Sequence, residues 1–177
     1  MEENNARQAV TETVRSLVAN LSSKDGQVRV RARKSLVAIG GPALKPLVEM
    51  LSSKRQRVRW EAAKALSQIG DPAAVQALVK ALEDKMFDVR WLAAEGLIRI
   101  GHEALAPLLQ ALMEHSDSLL LREGTHHVLH DIQTDFDEIL QPVLVALEDI
   151  EPSLEAPYAA EKALNALAKK QSRGRAL

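Results

Sequence analysis

Apolar and polar residues follow one another along the chain in a pattern that recurs at about 30 to 35 residues. Each copy opens with an apolar residue followed by arginine and closes with isoleucine eleven residues later. The four opening residues are Val28, Val58, Val89 and Leu121, and a worn fifth copy spans residues 156–167. Within a copy the apolar residues return at helical spacing and form one face. A unit with only one apolar face must stack on its neighbours, so the pattern predicts a row of two-helix units with a continuous core.

Glycine and proline mark the ends of the predicted helices. Gly40, Gly70 and Gly101 follow closing isoleucines, where glycine can adopt a positive φ at a helix C-terminus. Pro42 and Pro72 come shortly afterwards and suit the first turn of the next helix. The predicted helix pairs span residues 6–21 and 26–39, 42–51 and 58–69, 72–82 and 88–100, 103–113 and 118–132, and 136–147 and 154–169. We predict one all-α domain over residues 1–169, and we expect the basic tail at 170–177 to be disordered.

Two further features recur at fixed unit positions. Proline lies five residues before the last leucine of three first helices, at Pro46, Pro107 and Pro142. Asp84 precedes Arg90 by six residues. Together with the segment Asp-Pro-Ala-Ala-Val-Gln-Ala-Leu-Val-Lys-Ala-Leu-Glu-Asp at residues 71–84, these features resemble the HEAT-repeat family, in the short form shared with bilin-lyase-like repeats. The resemblance covers nearly the whole chain and implies a right-handed α-solenoid of five HEAT-like helical hairpins.

The resemblance also implies a ladder of Asp–Arg ion pairs along the joints between neighbouring repeats. The arginine is present at Arg29, Arg59, Arg90 and Arg122. The acidic position reads Ser23, Ser53, Asp84, Ser116 and Glu151. Because serine cannot neutralise an arginine, we expect a weaker ladder at repeats one, two and four. We expect Pro157 to end the ladder at the fifth repeat.

The composition bears on the partner and the compartment. A net charge of −1 provides no field that would hold a polyanion, so we expect no nucleic-acid partner. The absence of cysteine removes any sign of an oxidising compartment. The first residues are polar and acidic, and no apolar run approaches the roughly 20 residues of a membrane span. We expect a cytoplasmic monomer that binds another protein or a peptide and does not associate with membranes.

The candidate binding residues lie opposite the core on the second helices. In the third unit Trp91, Glu95 and Ile98 fall opposite Val89 and Leu97 on a helical wheel. If the units stack as the resemblance implies, these positions line a concave groove. The equivalent positions elsewhere are Val30, Lys34 and Val37; Trp60, Lys64 and Ser67; Glu123, His127 and His130; and Tyr158, Lys162 and Asn165.

Three of the five aromatic residues occupy the first of these equivalent positions. Rigid aromatic rings are the usual anchors of protein-binding surfaces, although such a ring can also serve only to cover the next helix. We predict that a partner segment binds along the groove through Trp60, Lys64, Trp91, Glu95, Ile98 and Tyr158.

A metal site is a weaker hypothesis. Glu123, His127 and His130 are spaced to share one helix face, and zinc or iron could bind such ligands. A polar surface without metal is the favoured interpretation, because no metal-binding motif supports the three residues. We therefore expect no metal and no cofactor.

The repeat family also contains enzymes. Iron-dependent hydroxylases built on these repeats carry His-Glu pairs near the start of second helices, whereas the matching positions here read Trp60-Glu61, Trp91-Leu92 and Glu123-Gly124. The resemblance to bilin lyases implies a grip on a tetrapyrrole or a phycobiliprotein. The sequence favours a non-catalytic adaptor that binds a partner segment in its groove. A bilin-lyase-like or metal-dependent hydroxylase-like enzyme, or a subunit of one, is the alternative.

Overall fold

The computed structural model describes residues 2–132 and 135–174. Over these residues the protein consists of ten α-helices and two 3₁₀ turns, without a strand. The helices are α1 (Glu2–Asn20), α2 (Gly26–Ile39), α3 (Gly41–Met50), α4 (Gln56–Ile69), α5 (Val75–Ala81), α6 (Phe87–Ile100), α7 (Leu105–Glu114), α8 (Leu119–Asp131), α9 (Asp137–Leu147) and α10 (Pro152–Gly174). The 3₁₀ turns Pro72–Ala74 and Gly101–Ala104 lead into α5 and α7. The predicted all-α fold is confirmed.

The helices of the first four units form two layers. The second helices pack in chain order, with α2 on α4, α4 on α6 and α6 on α8. In the other layer α1 packs on α3 and α5 packs on α7, and α3 contacts the 3₁₀ turn before α5. One cluster of buried apolar side chains runs without interruption from Val14 on α1 to Leu167 on α10. The protein is therefore an α-solenoid with a continuous core, and the right hand of its superhelix stays a prediction.

The fifth unit stacks in the reverse order. Its first helix, α9, packs against α8, and its second helix, α10, packs against α7 and α9. The buried face of α10 is a row of small residues with one leucine, formed by Ala156, Ala160, Ala163 and Leu167. Small side chains let a helix come close to its neighbours, so this row suits a position between two helices. The prediction that every second helix lines one layer is wrong for α10.

The ends of α10 also differ from the prediction. The helix begins at Pro152 and includes Pro157, so the connection from α9 is shorter than expected. At its other end α10 continues to Gly174, so residues 170–174 of the predicted disordered tail are helical. Lys170 lies over the ring of Phe136, with its Nζ 4.6 Å from the ring centre. Residues 175–177 of the predicted tail lie outside the described residues.

An arginine ties the start of each of the four regular second helices to the turn before it. The Nη1 group of each arginine donates a hydrogen bond to the backbone carbonyl six residues earlier. The pairs are Arg29 with Ser23, Arg59 with Ser53, Arg90 with Asp84, and Arg122 with Ser116. Carbonyls in a turn lack a helical partner, so the arginine satisfies a group that the fold would otherwise leave open.

The predicted ladder exists, but one of its carboxylates comes from an unexpected position. Arg59 donates to both carboxylate oxygens of Asp84 in the next unit, at 2.6 and 2.9 Å. At the joint before it, where Ser53 cannot pair, Glu61 accepts hydrogen bonds from Arg29 and from Arg33. The expectation of a weak ladder at this first joint is wrong, because Glu61 supplies the missing charge. Within the described residues Arg90 forms no ion pair and lies over the ring of Phe87.

We expect the substitution Glu61→Ala to lower the free energy of unfolding by about 3 kcal/mol, because it leaves two largely buried arginines without their carboxylate. The side chain of Glu61 is 4% exposed, and those of Arg29 and Arg33 are 16% and 12% exposed. Urea unfolding followed by circular dichroism measures the change. The matched control is Glu12→Ala on α1, where the ion pair with Arg15 is exposed, so the loss should stay below about 1 kcal/mol. Equal losses for the two variants would contradict a stabilising role for the buried group.

Asp84 predicts a dependence of stability on pH. Burial alone would raise the pKa of its carboxyl group, but hydrogen bonds from Arg59 and from the Met86 N–H outweigh burial and hold the pKa below its ordinary value. A lowered pKa stabilises the folded protein above the unfolded value of about 3.9, and this contribution is lost as the pH falls through the folded value.

The stability difference between wild type and Asp84→Asn should therefore be constant above about pH 5 and should shrink below about pH 4. Urea unfolding at a series of pH values measures the difference. A difference that persists unchanged to about pH 2 would rule out the carboxylate as its source.

Candidate protein-binding surface

The outward side chains of α2, α4, α6 and α8 form the surface that we call the second-helix face. Because these helices stack in order, equivalent positions on them become neighbours. The face consists of Lys34, Arg57, Trp60, Lys64, Asp88, Trp91, Glu95, Ile98, Glu123 and His127. Of the six predicted binding residues, five lie on it.

Among the apolar side chains of this face, Trp91 is exposed, whereas Trp60 and Ile98 are partly buried. Trp91 is 47% exposed although it belongs to a well-packed helix. Its ring lies 6.2 Å from the ring of Phe87 and 4.5 Å from the ring of His127, measured between centres. The ring lines a pocket of about 80 Å³ that also contacts Glu123 on α8. Trp91 therefore offers a rigid apolar ring beside a small cavity.

Phe87 was not among the predicted residues, although its sequence position could have indicated it. It lies four residues before Trp91 on the same helix, a spacing that brings two side chains together. Phe87 is 62% exposed, so it adds apolar surface to the Trp91 pocket.

Trp60 has a different environment from Trp91. It is partly buried and packs against a small apolar cluster formed by Ala63, Val89 and Leu92. The guanidinium carbon of Arg33 lies 5.4 Å from its ring centre. The remaining edge of the ring lines a cleft of about 300 Å³ between the start of α4 and the start of α6. Trp60 thus serves the packing of the joint and also borders an open cleft.

The remaining predicted residues of this surface differ in exposure. Glu95 is exposed, whereas Lys64 and Ile98 are partly buried. Ser67, which was expected on the groove side, is buried. A Cβ atom on Gly96 would lie 3.3 Å from the Cα atom of Ser67, so the absence of a side chain at Gly96 lets α6 cover Ser67.

The structure separates Tyr158 from the other predicted binding residues. Tyr158 is 58% exposed on α10, and α10 packs against α7 and α9. Its ring is covered by Lys162, whose Nζ lies 4.0 Å from the ring centre. The expected equivalence of Tyr158 with Trp60 and Trp91 is wrong, because the fifth unit reverses the order of its helices.

The three histidines of α8 lie beside two carboxylates, those of Glu148 and Asp131. His126 Nε2 lies 2.8 Å from Glu148 Oε1, and His130 Nδ1 lies 2.6 Å from Asp131 Oδ1. His127 Nε2 lies 3.3 Å from the other oxygen of Asp131. The hydrogen bond from His130 is the main cause that lowers the pKa of the Asp131 carboxyl group.

Glu123, His127 and His130 do not form a metal-binding group. Across the described ranges, no group of three or more histidine, cysteine, aspartate or glutamate side chains could hold a metal ion. Glu123 instead borders the Trp91 pocket, while His130 turns to Asp131.

A search for membrane spans among the described residues finds no helix that is both long enough and apolar enough to cross a bilayer.

Comparisons with solved structures find chains with partial similarity to this one. The chain is similar to an engineered protein, with 22% sequence identity over 85% of this chain and 77% of that chain and a TM-score of 0.47. It is also similar to a designed armadillo repeat protein in complex with the peptide (KR)4, with 24% identity over 84% of this chain and 79% of that chain and a TM-score of 0.45. No curated protein matches the chain.

Comparisons with family models identify the repeats. The model described as HEAT repeats matches residues 14–86. The model described as PBS lyase HEAT-like repeat matches residues 89–114. The two ranges follow each other and together cover more than half of the chain. The protein belongs to the HEAT-repeat family.

Proposed function

We propose that the protein is a non-catalytic adaptor whose second-helix face binds a segment of another protein. The observation that carries this proposal is the open ring of Trp91, which stands beside Phe87 and a pocket on a packed helix. Solvent contact with large apolar side chains is unfavourable, and clustered apolar side chains at a surface are typical of interaction sites. Aromatic residues that fill or border pockets often dominate the binding energy of protein interfaces.

Two open features in neighbouring joints suit an extended or helical partner segment. The Trp60 cleft lies between α4 and α6, and the Trp91 pocket lies between α6 and α8. Lys64, Glu95 and Ile98 surround the two rings on the same helices. An apolar side chain of the partner would enter the cleft and a second side chain would cover the ring of Trp91, while polar groups of the partner would meet Lys64 and Glu95.

The rigidity of the second helices favours binding. Each regular second helix is held by its arginine to the preceding turn and by buried side chains to both neighbours. A surface that is already ordered loses little conformational freedom when a partner binds. Tyr158 is not part of the proposed surface, because α10 lies in the other layer.

We expect the substitution Trp91→Ala to weaken binding of the natural partner by about 30-fold or more, because truncation of an aromatic anchor costs about 2 kcal/mol or more. Affinity capture from the native cell identifies the protein that wild type retains, and titration with that protein measures the dissociation constant. Trp91→Ala should keep the helical circular dichroism of wild type, since the ring is half exposed.

The matched control is Tyr158→Ala, which removes an exposed aromatic ring from the other layer. This variant should retain the partner with unchanged affinity. The proposal would be wrong if Tyr158→Ala lost the partner while Trp91→Ala kept it.

A further inference from the structure

The second-helix face changes the sign of its charge from one unit to the next at equivalent positions. Arg57 on α4 corresponds to Asp88 on α6, and Lys64 corresponds to Glu95 in the same way. Lys34 on α2 extends the positive part, and Glu123 on α8 extends the negative part. At these positions the charge is therefore positive on α2 and α4 and negative on α6 and α8.

The protein leaves most of these charges without a partner of its own. Over residues 2–132 and 135–174, Lys34, Arg57 and Lys64 are absent from every ion pair. The same holds for Asp88 and Glu123, while the Oε1 atom of Glu95 lies 3.9 Å from the Nε2 atom of the His127 ring. Arg29 and Arg33 do not add to the positive part, because Glu61 accepts hydrogen bonds from both.

The two tryptophans differ in whether a cationic side chain of the protein lies over the ring. The ring of Trp60 already has a cation over it, the guanidinium of Arg33. In the described part of the chain no lysine or arginine lies over Trp91, and Arg90 in the same pocket lies over Phe87. An aromatic face attracts a cation, and nearby carboxylates add to this attraction. Glu123 lines the same pocket as Trp91, and Glu95 lies one helical turn beyond Trp91 on α6, so the surroundings of Trp91 suit a lysine or arginine side chain of a partner.

We propose that the bound segment has segregated charges, with acidic side chains over α2 and α4, an apolar side chain between the tryptophans, and lysine or arginine over Trp91. This inference rests on the proposed function and specifies the chemistry of its partner. Packed helices lie about 8–10 Å apart, and an extended chain advances about 3.3 Å per residue. One helix therefore corresponds to about three residues of the segment.

The order of charges along the face also favours a protein segment over a nucleic acid as the partner. A polyanion attracted to Lys34, Arg57 and Lys64 would have to pass over Asp88, Glu95 and Glu123. Like charges at these positions would repel its phosphates. A segment of mixed and ordered charge satisfies both parts of the face.

The first test uses labelled peptides with one acidic, one apolar and one basic block of about three residues each. The control peptide has the same composition with its charges alternating. Fluorescence anisotropy at about 0.1 M ionic strength should show at least about tenfold tighter binding of the block peptide. At about 1 M ionic strength, where charges are screened beyond about 3 Å, this preference should disappear.

The second test changes single charges of the protein. Glu95→Lys and Lys64→Glu should each weaken binding of the block peptide by about three- to tenfold. The matched control Glu161→Lys makes the same change at an exposed position on α10 and should have no effect. A peptide whose basic block is replaced by a second acidic block should bind Glu95→Lys more tightly than it binds wild type.

Three results would overturn the inference. The first is equal affinity for the block and alternating peptides, and the second is equal effects of Glu95→Lys and Glu161→Lys. The third is tighter binding of a single-stranded oligonucleotide than of either peptide. None of these results affects the capture experiment with Trp91→Ala. The proposal on the charge order of the segment can therefore be wrong while the proposal that Trp91 binds a partner holds.

Discussion

The hydrogen bond from each repeat arginine to its own turn is the interaction on which the binding surface depends. It joins the start of a second helix to a carbonyl six residues earlier in four successive units. The next residue in the chain belongs to the second-helix face, as in Arg59-Trp60 and Arg90-Trp91. Successive residues of a helix point about 100° apart. A helix whose arginine faces the turn must therefore direct the following side chain away from it, and the two tryptophans project from equivalent places.

At the joints between units, carboxylates from different repeat positions neutralise the arginines. Arg59 pairs with Asp84 at the expected position, whereas Arg29 and Arg33 share Glu61 on the next second helix. Glu61 lies directly after Trp60 and also lines the Trp60 cleft. The same carboxylate thus neutralises the first joint and holds Arg33, whose guanidinium lies over the ring of Trp60. Glu61 therefore affects the environment of Trp60 as well as the joint between the units.

The repeat pattern predicts the helices well, and it predicts their neighbours only where the units stack regularly. The bounds of α2 agree with the prediction, because Asp25 caps its start and Gly40 follows its end. The reversal of α9 and α10 was not predictable from equivalent positions, since the apolar row of Ala156, Ala160 and Ala163 fits a neighbour in either layer. Tyr158 was misplaced for that reason. Glu61 lies outside the turn position that the repeat pattern assigns to the acidic residue, and Phe87 lies outside the three equivalent positions of the face, so the comparison of units predicts neither.

The side chains that attach α6 to its neighbours differ from the exposed side chains that α6 displays on the second-helix face. Ala93 and Leu97 are fully buried and attach α6 to its neighbours, while Trp91 and Glu95 lie on the other side of the same helix. A substitution at these outer positions leaves the core intact, so the residues there can be those that a binding partner requires. Trp60 and Trp91 began from the same repeat position but now differ, because the first is covered by Arg33 and the second is open. The ring of Trp91 contacts the His127 ring on α8 and remains nearly half exposed, with Glu123 lining the same pocket, and this environment is complementary to an apolar or cationic group from outside the chain.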